Sequence, residues 1–157
     1  MIARGRARGI LGVLMTRHAA GPFDITMSPD PHYEAAEGGI VLGRVSFSKQ
    51  FHGALDATSI VQMLSAGTAV KGSAGYVAIE LVTGRLDGRT GSFVLQHSGS
   101  MARGQASLTV AVVPDSGTGE LAGLSGRMAI DIVEGKHSYR FDYDLGGASG
   151  GDPSPAM

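Results

Sequence analysis

Glu80 and His97 are the two side chains of this sequence best suited to move a proton. A buried carboxylate has its pKa raised by desolvation, and a neighbouring imidazolium lowers it. An imidazole titrates close to neutral pH, so such a pair can pass a proton at physiological pH. Between the two residues lies Asp87-Gly88, a dipeptide that suits a two-residue type I′ turn because both central positions need positive φ. With Leu86 opposite Arg89, Val82 faces Phe93, Glu80 faces Leu95 and Ala78 faces His97. Tyr76, Ala78, Glu80, Val82, Phe93, Leu95 and His97 then share one face. Glu80 and His97 become diagonal neighbours, ~7–8 Å apart at the backbone and within reach of long side chains. Inside a pocket that folds a hydrophobic chain, one acid–base step at this pair would serve an isomerase or a cyclase. The same pair would equally serve as a satisfied structural network, or stand on an outer face. Hydrophobicity alone does not choose between the faces, and Gly84 or Gly91 could admit a bulge that shifts the register.

The hairpin that positions the pair spans 76–101, and its neighbours are strand-like too. Alternating or β-branched runs occur at 18–27, 40–51, 55–65, 105–113, 126–133 and 136–145. The 55–65 run also carries apolar residues at helical spacing, but Thr58, Ile60 and Val61 favour a strand. Ser28-Pro29-Asp30-Pro31 ends the first run, since proline denies the ladder its N–H. A polar loop to Gly39 follows. Around Glu134-Gly135 the last two runs form a hairpin that separates cleanly into an apolar face (Met128, Ile130, Ile132, His137, Tyr139, Phe141, Tyr143) and a polar one. Arg127 lies opposite Asp142 on the polar face. A slip of one residue would mix these faces. Eight antiparallel strands without a convincing helix must dispose of their edges, and closure into a barrel is the simplest way.

Composition agrees. The chain of 157 residues has the length of one domain, with 43% hydrophobic residues, 25 Gly and no Trp. Its formal charge is −1, and Arg4, Arg6 and Arg8 lie in the first segment, so the rest is mildly acidic. That balance gives no electrostatic reason to bind nucleic acid or an anionic membrane. Zero cysteines exclude disulfides and thiolate chemistry and fit a reducing, cytoplasmic setting. Residues 1–14 meet the criteria of a signal peptide poorly, because their apolar part is too short. They read as a disordered extension, or as the result of an upstream start, with Met15 the working one. Residues 146–157 have the composition of a flexible tail.

Other motifs carry little chemistry. Gly117-Thr118-Gly119-Glu120-Leu121-Ala122 matches a dinucleotide fingerprint, but Gly123 and Gly126 interrupt the helix that such a site requires. It reads as a tight connection across a barrel end. The histidines (His18, His32, His52, His97, His137) show no metal-ligand spacing, and no serine sits in a G-x-S-x-G elbow. No metal and no cofactor are expected.

Three stretches, TGRLDGRTGSFVLQHSG (83–99), VVPDSGTGELAGLSG (112–126) and YRFDYDL (139–145), together with the opening TRHAAGPFDI (16–25), resemble a bacterial domain-of-unknown-function family, number 3224. The resemblance covers roughly residues 15–145. It implies an all-β fold, a single eight-stranded antiparallel barrel similar to allene oxide cyclase, and no established activity. The family pattern usually has arginine where this chain has Leu81, and an aromatic where it has Val82. An arginine there would point outward and turn Glu80 and His97 inward; this chain departs from the pattern at both positions.

Three readings of function follow. The first is a barrel that binds a small hydrophobic molecule in its lumen, against Tyr76, Phe93, Leu95, Tyr139 and Tyr143. The second is an isomerase or cyclase using Glu80 and His97. The third is a filled structural barrel that acts through its surface or as a homo-oligomer. An eight-strand barrel is just wide enough to be filled or to hold one small ligand. Interior residues such as Ala78, Val82, Leu95, Val110, Met128, Ile130 and Ile132 leave room, which favours the first.

Overall fold

Three two-residue turns set the registers of the sheet. Asp87-Gly88, Arg103-Gly104 and Glu134-Gly135 all have positive φ at both positions. That is the type I′ geometry, whose twist matches that of the flanking strands. The pairs that close them are Leu86 with Arg89, Ala102 with Gln105, and Val133 with Lys136. Both registers expected from the sequence are therefore present, including Ala78 opposite His97 and Ile130 opposite Tyr139.

The computed structural model describes residues 15–30 and 34–146. These residues form nine strands: β1 (Arg17–Pro29), β2 (Glu34–Ala36), β3 (Ile40–Phe51), β4 (Leu55–Gly67), β5 (Ala74–Leu86), β6 (Arg89–Ala102), β7 (Gln105–Val112), β8 (Leu124–Val133) and β9 (Lys136–Leu145). Their order in the sheet is β1-β9-β8-β7-β6-β5-β4-β3-β2, with a further β1–β3 pairing. That pairing closes an eight-stranded antiparallel barrel, leaving β2 as a short strand beside β3. The expected polar loop before Gly39 thus contains β2 and a 3-10 turn. The 55–65 run is a strand, and from Leu55 to Val61 burial alternates at every residue. The readings made for residues 1–14 and for the tail beyond Gly146 lie outside the described residues.

β1 closes the ring by serving two partners in turn. Arg17 to Phe23 pair with β9, and Phe23 to Pro29 pair with β3. Phe23 is the hand-over point, and its ring lies 5.4 Å from that of Phe51 and 5.2 Å from that of His137. The thinnest seam is between β7 and β8, where the register contains one pair, Ala111 with Arg127.

The two ends of the barrel differ. At the end that carries the Asp87-Gly88 turn, the interior is solid. Phe51, Leu55, Leu86, Phe93, Leu121, Leu124, Phe141 and Tyr143 are each 2% exposed or less. Phe93 stacks on Phe141, and Phe141 on Tyr143. The 113–123 connection folds across this end. Thr118 bonds Ser92 through its N–H and its hydroxyl, the Glu120 carboxylate accepts from the Thr90 N–H, and a 3-10 turn drives Leu121 into the core. Gly91 makes room for it, since a Cβ there would sit 2.1 Å from the Thr118 carbonyl oxygen. The fingerprint-like segment is a plug.

Outward faces carry the other half of each alternation. Ile60, Leu64, Val77, Ile79 and Leu81 are exposed on β4 and β5. Leu81 therefore points out, and Glu80 points in.

Candidate functional site

Four consecutive strands send one polar side chain each into the barrel at the same height. Lys49 (β3) lies opposite Ser59 (β4), while Glu80 (β5) and His97 (β6) are offset by one diagonal step each. Glu80 is at the centre and wholly buried, at 0% exposure. Its Oε1 accepts the Ser59 hydroxyl at 2.5 Å. Its Oε2 accepts Lys49 Nζ at 3.0 Å and His97 Nε2 at 2.7 Å. Lys49 Nζ also lies 5.0 Å from the centre of the Phe23 ring and 5.7 Å from that of Phe51, within cation–π range.

These contacts determine the state of the carboxyl group. Burial alone raises the Glu80 pKa, but the His97 hydrogen bond, the Lys49 charge and the Ser59 hydrogen bond outweigh it and hold it below the usual value. Glu80 is thus a carboxylate that accepts three donors. The ring nitrogen facing an ionised oxygen must carry the hydrogen, which assigns it to Nε2 of His97. Nδ1, a lone-pair acceptor in the neutral ring, has no hydrogen-bond partner among the described residues.

Above the cluster, on the side away from the plug, the barrel interior opens. A cavity of about 400 Å³ has Lys49 and His97 on its wall, with Phe47, Met63, Tyr76, Leu108, Ile130 and His137 around them. It shares Met63, Tyr76 and Leu108 with a second hollow of about 300 Å³ that runs toward Gly99 and Met101. The Tyr76 ring lies against Gly99, where a Cβ would come within 2.3 Å of it. Burial raises the Tyr76 phenol pKa, so it stays protonated. Glu80 does not reach the cavity wall; the lysine and the histidine stand between it and the space. A groove of about 550 Å³ on the outer face, lined by Arg44, Gln62, Leu64, Val77, Ile79 and Gln96, holds no acid–base pair.

Of the side chains expected around a ligand, Tyr76 lines the cavity, and Phe93, Leu95, Tyr139 and Tyr143 do not. The last four are packed in the solid half. The two phenols there act as clamps. Tyr139 donates to the His52 carbonyl at 2.8 Å and accepts the Leu55 N–H at 2.9 Å, pinning the β3–β4 turn. Tyr143 donates to the Asp87 carboxylate in the β5–β6 turn, and burial with that neighbouring charge pushes its pKa up to about 12. Glu80 and His97 are brought together. Lys49 and Ser59 were not anticipated, although the alternation Val45, Phe47, Lys49, Phe51 and Leu55, Ala57, Ser59, Val61 already puts both on the interior face. Among the described residues no group of three or more His, Cys, Asp or Glu could hold a metal ion. No helix of the described residues is long and apolar enough to cross a membrane.

Comparison with known proteins places this arrangement in context. The profile of a family described as "Protein of unknown function (DUF3224)" matches residues 19–143, a span that contains all four polar residues of the cluster. A crystal structure from Shewanella oneidensis MR-1, of a protein with unknown function from the same family, is 50% identical and has a TM-score of 0.80. The match covers 85% of this chain and 100% of that one. No curated protein matches.

Proposed function

The chain belongs to the DUF3224 family, and from that premise we propose that it binds a small hydrophobic molecule in the open half of its barrel. One observation carries this reading. The barrel is filled from one end only, and the filling stops at a polar floor, leaving an apolar-walled cavity of about 400 Å³. Pockets of this size, mostly apolar with a few convergent polar groups, are the usual form of a small-molecule site. Lys49 and His97 supply the polar contacts, and Met63, Leu108 and Ile130 supply apolar wall.

The test is a thermal melt against a panel of small hydrophobic ketones, alcohols and acids, run on the wild type and on Leu108→Trp. Leu108 is partly exposed at the cavity rim, so an indole there fills space without entering the packed half. Binding at a hundred times Kd stabilises by about 2.7 kcal/mol, which raises Tm by several degrees. The reading expects such a shift in the wild type and its loss in the variant. It fails if no compound shifts the wild type, or if the variant responds equally.

A second reading, an isomerase or cyclase, is favoured by the 2.7 Å contact between Glu80 and His97 beside that cavity. The implied likeness to allene oxide cyclase is in keeping with it, as analogy of fold.

A further inference from the structure

We infer that the cluster is a proton-abstracting site for hydrophobic ketones, in which His97 Nδ1 is the base, Lys49 holds the carbonyl oxygen, and Glu80 is a positioning residue. The inference rests on the binding reading above and goes beyond it by assigning a reaction and a substrate class.

The division of roles follows from the contacts. Glu80 is shielded from the cavity, and three donors already occupy most of its acceptor positions, so it does not meet a substrate directly. His97 is on the wall. Its Nε2–H is committed to Glu80, which fixes the tautomer and leaves Nδ1 with a lone pair and no partner among the described residues. A buried carboxylate behind an imidazole both orients the ring and stabilises the imidazolium formed when the ring takes a proton. Lys49 is also on the wall and bonds the same oxygen, Glu80 Oε2, that His97 Nε2 bonds, so the lysine and the imidazole ring flank one carboxylate oxygen and both line the cavity. Only one of its three N–H groups meets Glu80; no other hydrogen bond holds it among the described residues. A base and a cationic donor side by side on an apolar wall suit a substrate with an acidic C–H next to a carbonyl. The apolar wall calls for a ligand of low polarity, and the cluster is charge-balanced when His97 is neutral. A neutral ketone therefore fits better than an acid, which would bring an unpaired charge.

The step balances without a co-reactant. The C–H bond α to the carbonyl breaks, its proton goes to His97 Nδ1, and its electron pair forms the enolate carbon–carbon double bond. The carbonyl oxygen takes the negative charge and is held by a Lys49 N–H, as in other sites where fixed donors meet developing charge. Return of the proton to the same carbon gives exchange; return to the far carbon of a β,γ-unsaturated ketone gives its conjugated isomer.

The experiment uses 2-decanone and full-length protein in deuterated buffer, followed by proton NMR. Saturation transfer from protein to the alkyl chain reports binding, and loss of the α-proton signal reports abstraction. Expected is exchange faster than buffer by about 10²-fold or more, abolished in His97→Gln and Lys49→Met. Leu108→Trp, on the cavity wall but outside the hydrogen-bonded cluster, should slow exchange by weakening binding. In Glu80→Gln the exchange rate at saturation should fall about 10²-fold while the half-saturating ketone concentration stays unchanged, a split that general loosening of the barrel would not give. Near-UV circular dichroism identifies any variant that has lost its fold, and Leu108→Trp keeps the test decisive if a cluster variant has done so. Saturation transfer without exchange overturns the inference and leaves the binding reading standing. Exchange that persists in folded His97→Gln or Lys49→Met, or that ignores Leu108→Trp, overturns it as well. Absence of saturation transfer from 2-decanone overturns it too, and the binding reading then rests on the melt panel.

Discussion

Glu80 Oε2 lies 2.7 Å from His97 Nε2, across a diagonal of the β5–β6 ladder. The same oxygen lies 3.0 Å from Lys49 Nζ. One buried oxygen thus joins three strands, and its charge is matched on the spot by the lysine. Each member of the cluster is buried on the condition that the others are present.

Lys49→Met should therefore be strongly destabilising. It leaves the Glu80 carboxylate in the core without its cation, a change that costs about 3–5 kcal/mol. Combining it with Glu80→Gln removes the orphaned charge, so the double variant should be more stable than Lys49→Met alone. Urea denaturation measures both; equal stability of the single and double variants would argue that the pair is not coupled.

Acid should act through Glu80. Its folded pKa is lowered from the ordinary 4.5, so the unfolded chain takes up the proton more readily. The stability this supplies is present above pH 4.5 and is lost as pH falls through the folded value. Urea midpoints of wild type and Glu80→Gln should converge as the solution is taken below pH 4.5. A constant gap down to pH 2 would contradict the prediction.

Alkali should act through Tyr143. Its folded pKa of about 12 lies above the ordinary 10.0, so the native state keeps the proton longer than the unfolded chain. Stability is full below pH 10 and falls between 10 and 12. Asp87→Asn keeps a residue tolerant of the left-handed turn while removing the charge that opposes ionisation. The variant should show a shallower alkaline decline in thermal melts, and its Tyr143 should ionise at lower pH by ultraviolet titration.

Tyr139→Phe should separate stability from binding. It strands the buried Leu55 N–H and the His52 carbonyl, at a cost of about 1–3 kcal/mol. The phenol lies in the solid half, away from the cavity, so any compound that shifts the wild-type melt should shift this variant by as many degrees. A selective loss of the ligand response would place Tyr139 nearer the site than its contacts do.

Registers were legible in the sequence because a type I′ turn of two residues allows one pairing, and Asp87-Gly88 and Glu134-Gly135 declared themselves. That was enough to put Glu80 beside His97. Lys49 was harder, although alternation places it between Phe47 and Phe51. A lone lysine on an apolar face commonly snorkels to water, and the acid that keeps it buried is 31 residues further along the chain. Height along the barrel axis was not legible at all. Tyr139 and Tyr143 share a face with Ile130 and Ile132, yet the tyrosines are buried at the filled end and Ile132 is 63% exposed at the open one. Which end is filled depends on how far each strand is staggered against the next, and on Leu121 arriving from a connection that looked like a fingerprint.

The double service of β1 bears on how the chain is made. Its Phe23–Pro29 half can zip onto β3 as soon as the first fifty or so residues have been synthesised, whereas its Arg17–Phe23 half waits for β9, the last strand among the described residues. Until then the nascent chain is a curled sheet with an unsatisfied edge at each side, the kind of species that sticks to its neighbours. Pairing between the most distant strands is also the slowest kind to form. The ring that shelters the cluster therefore cannot close before residues 136–145 are available to pair with β1.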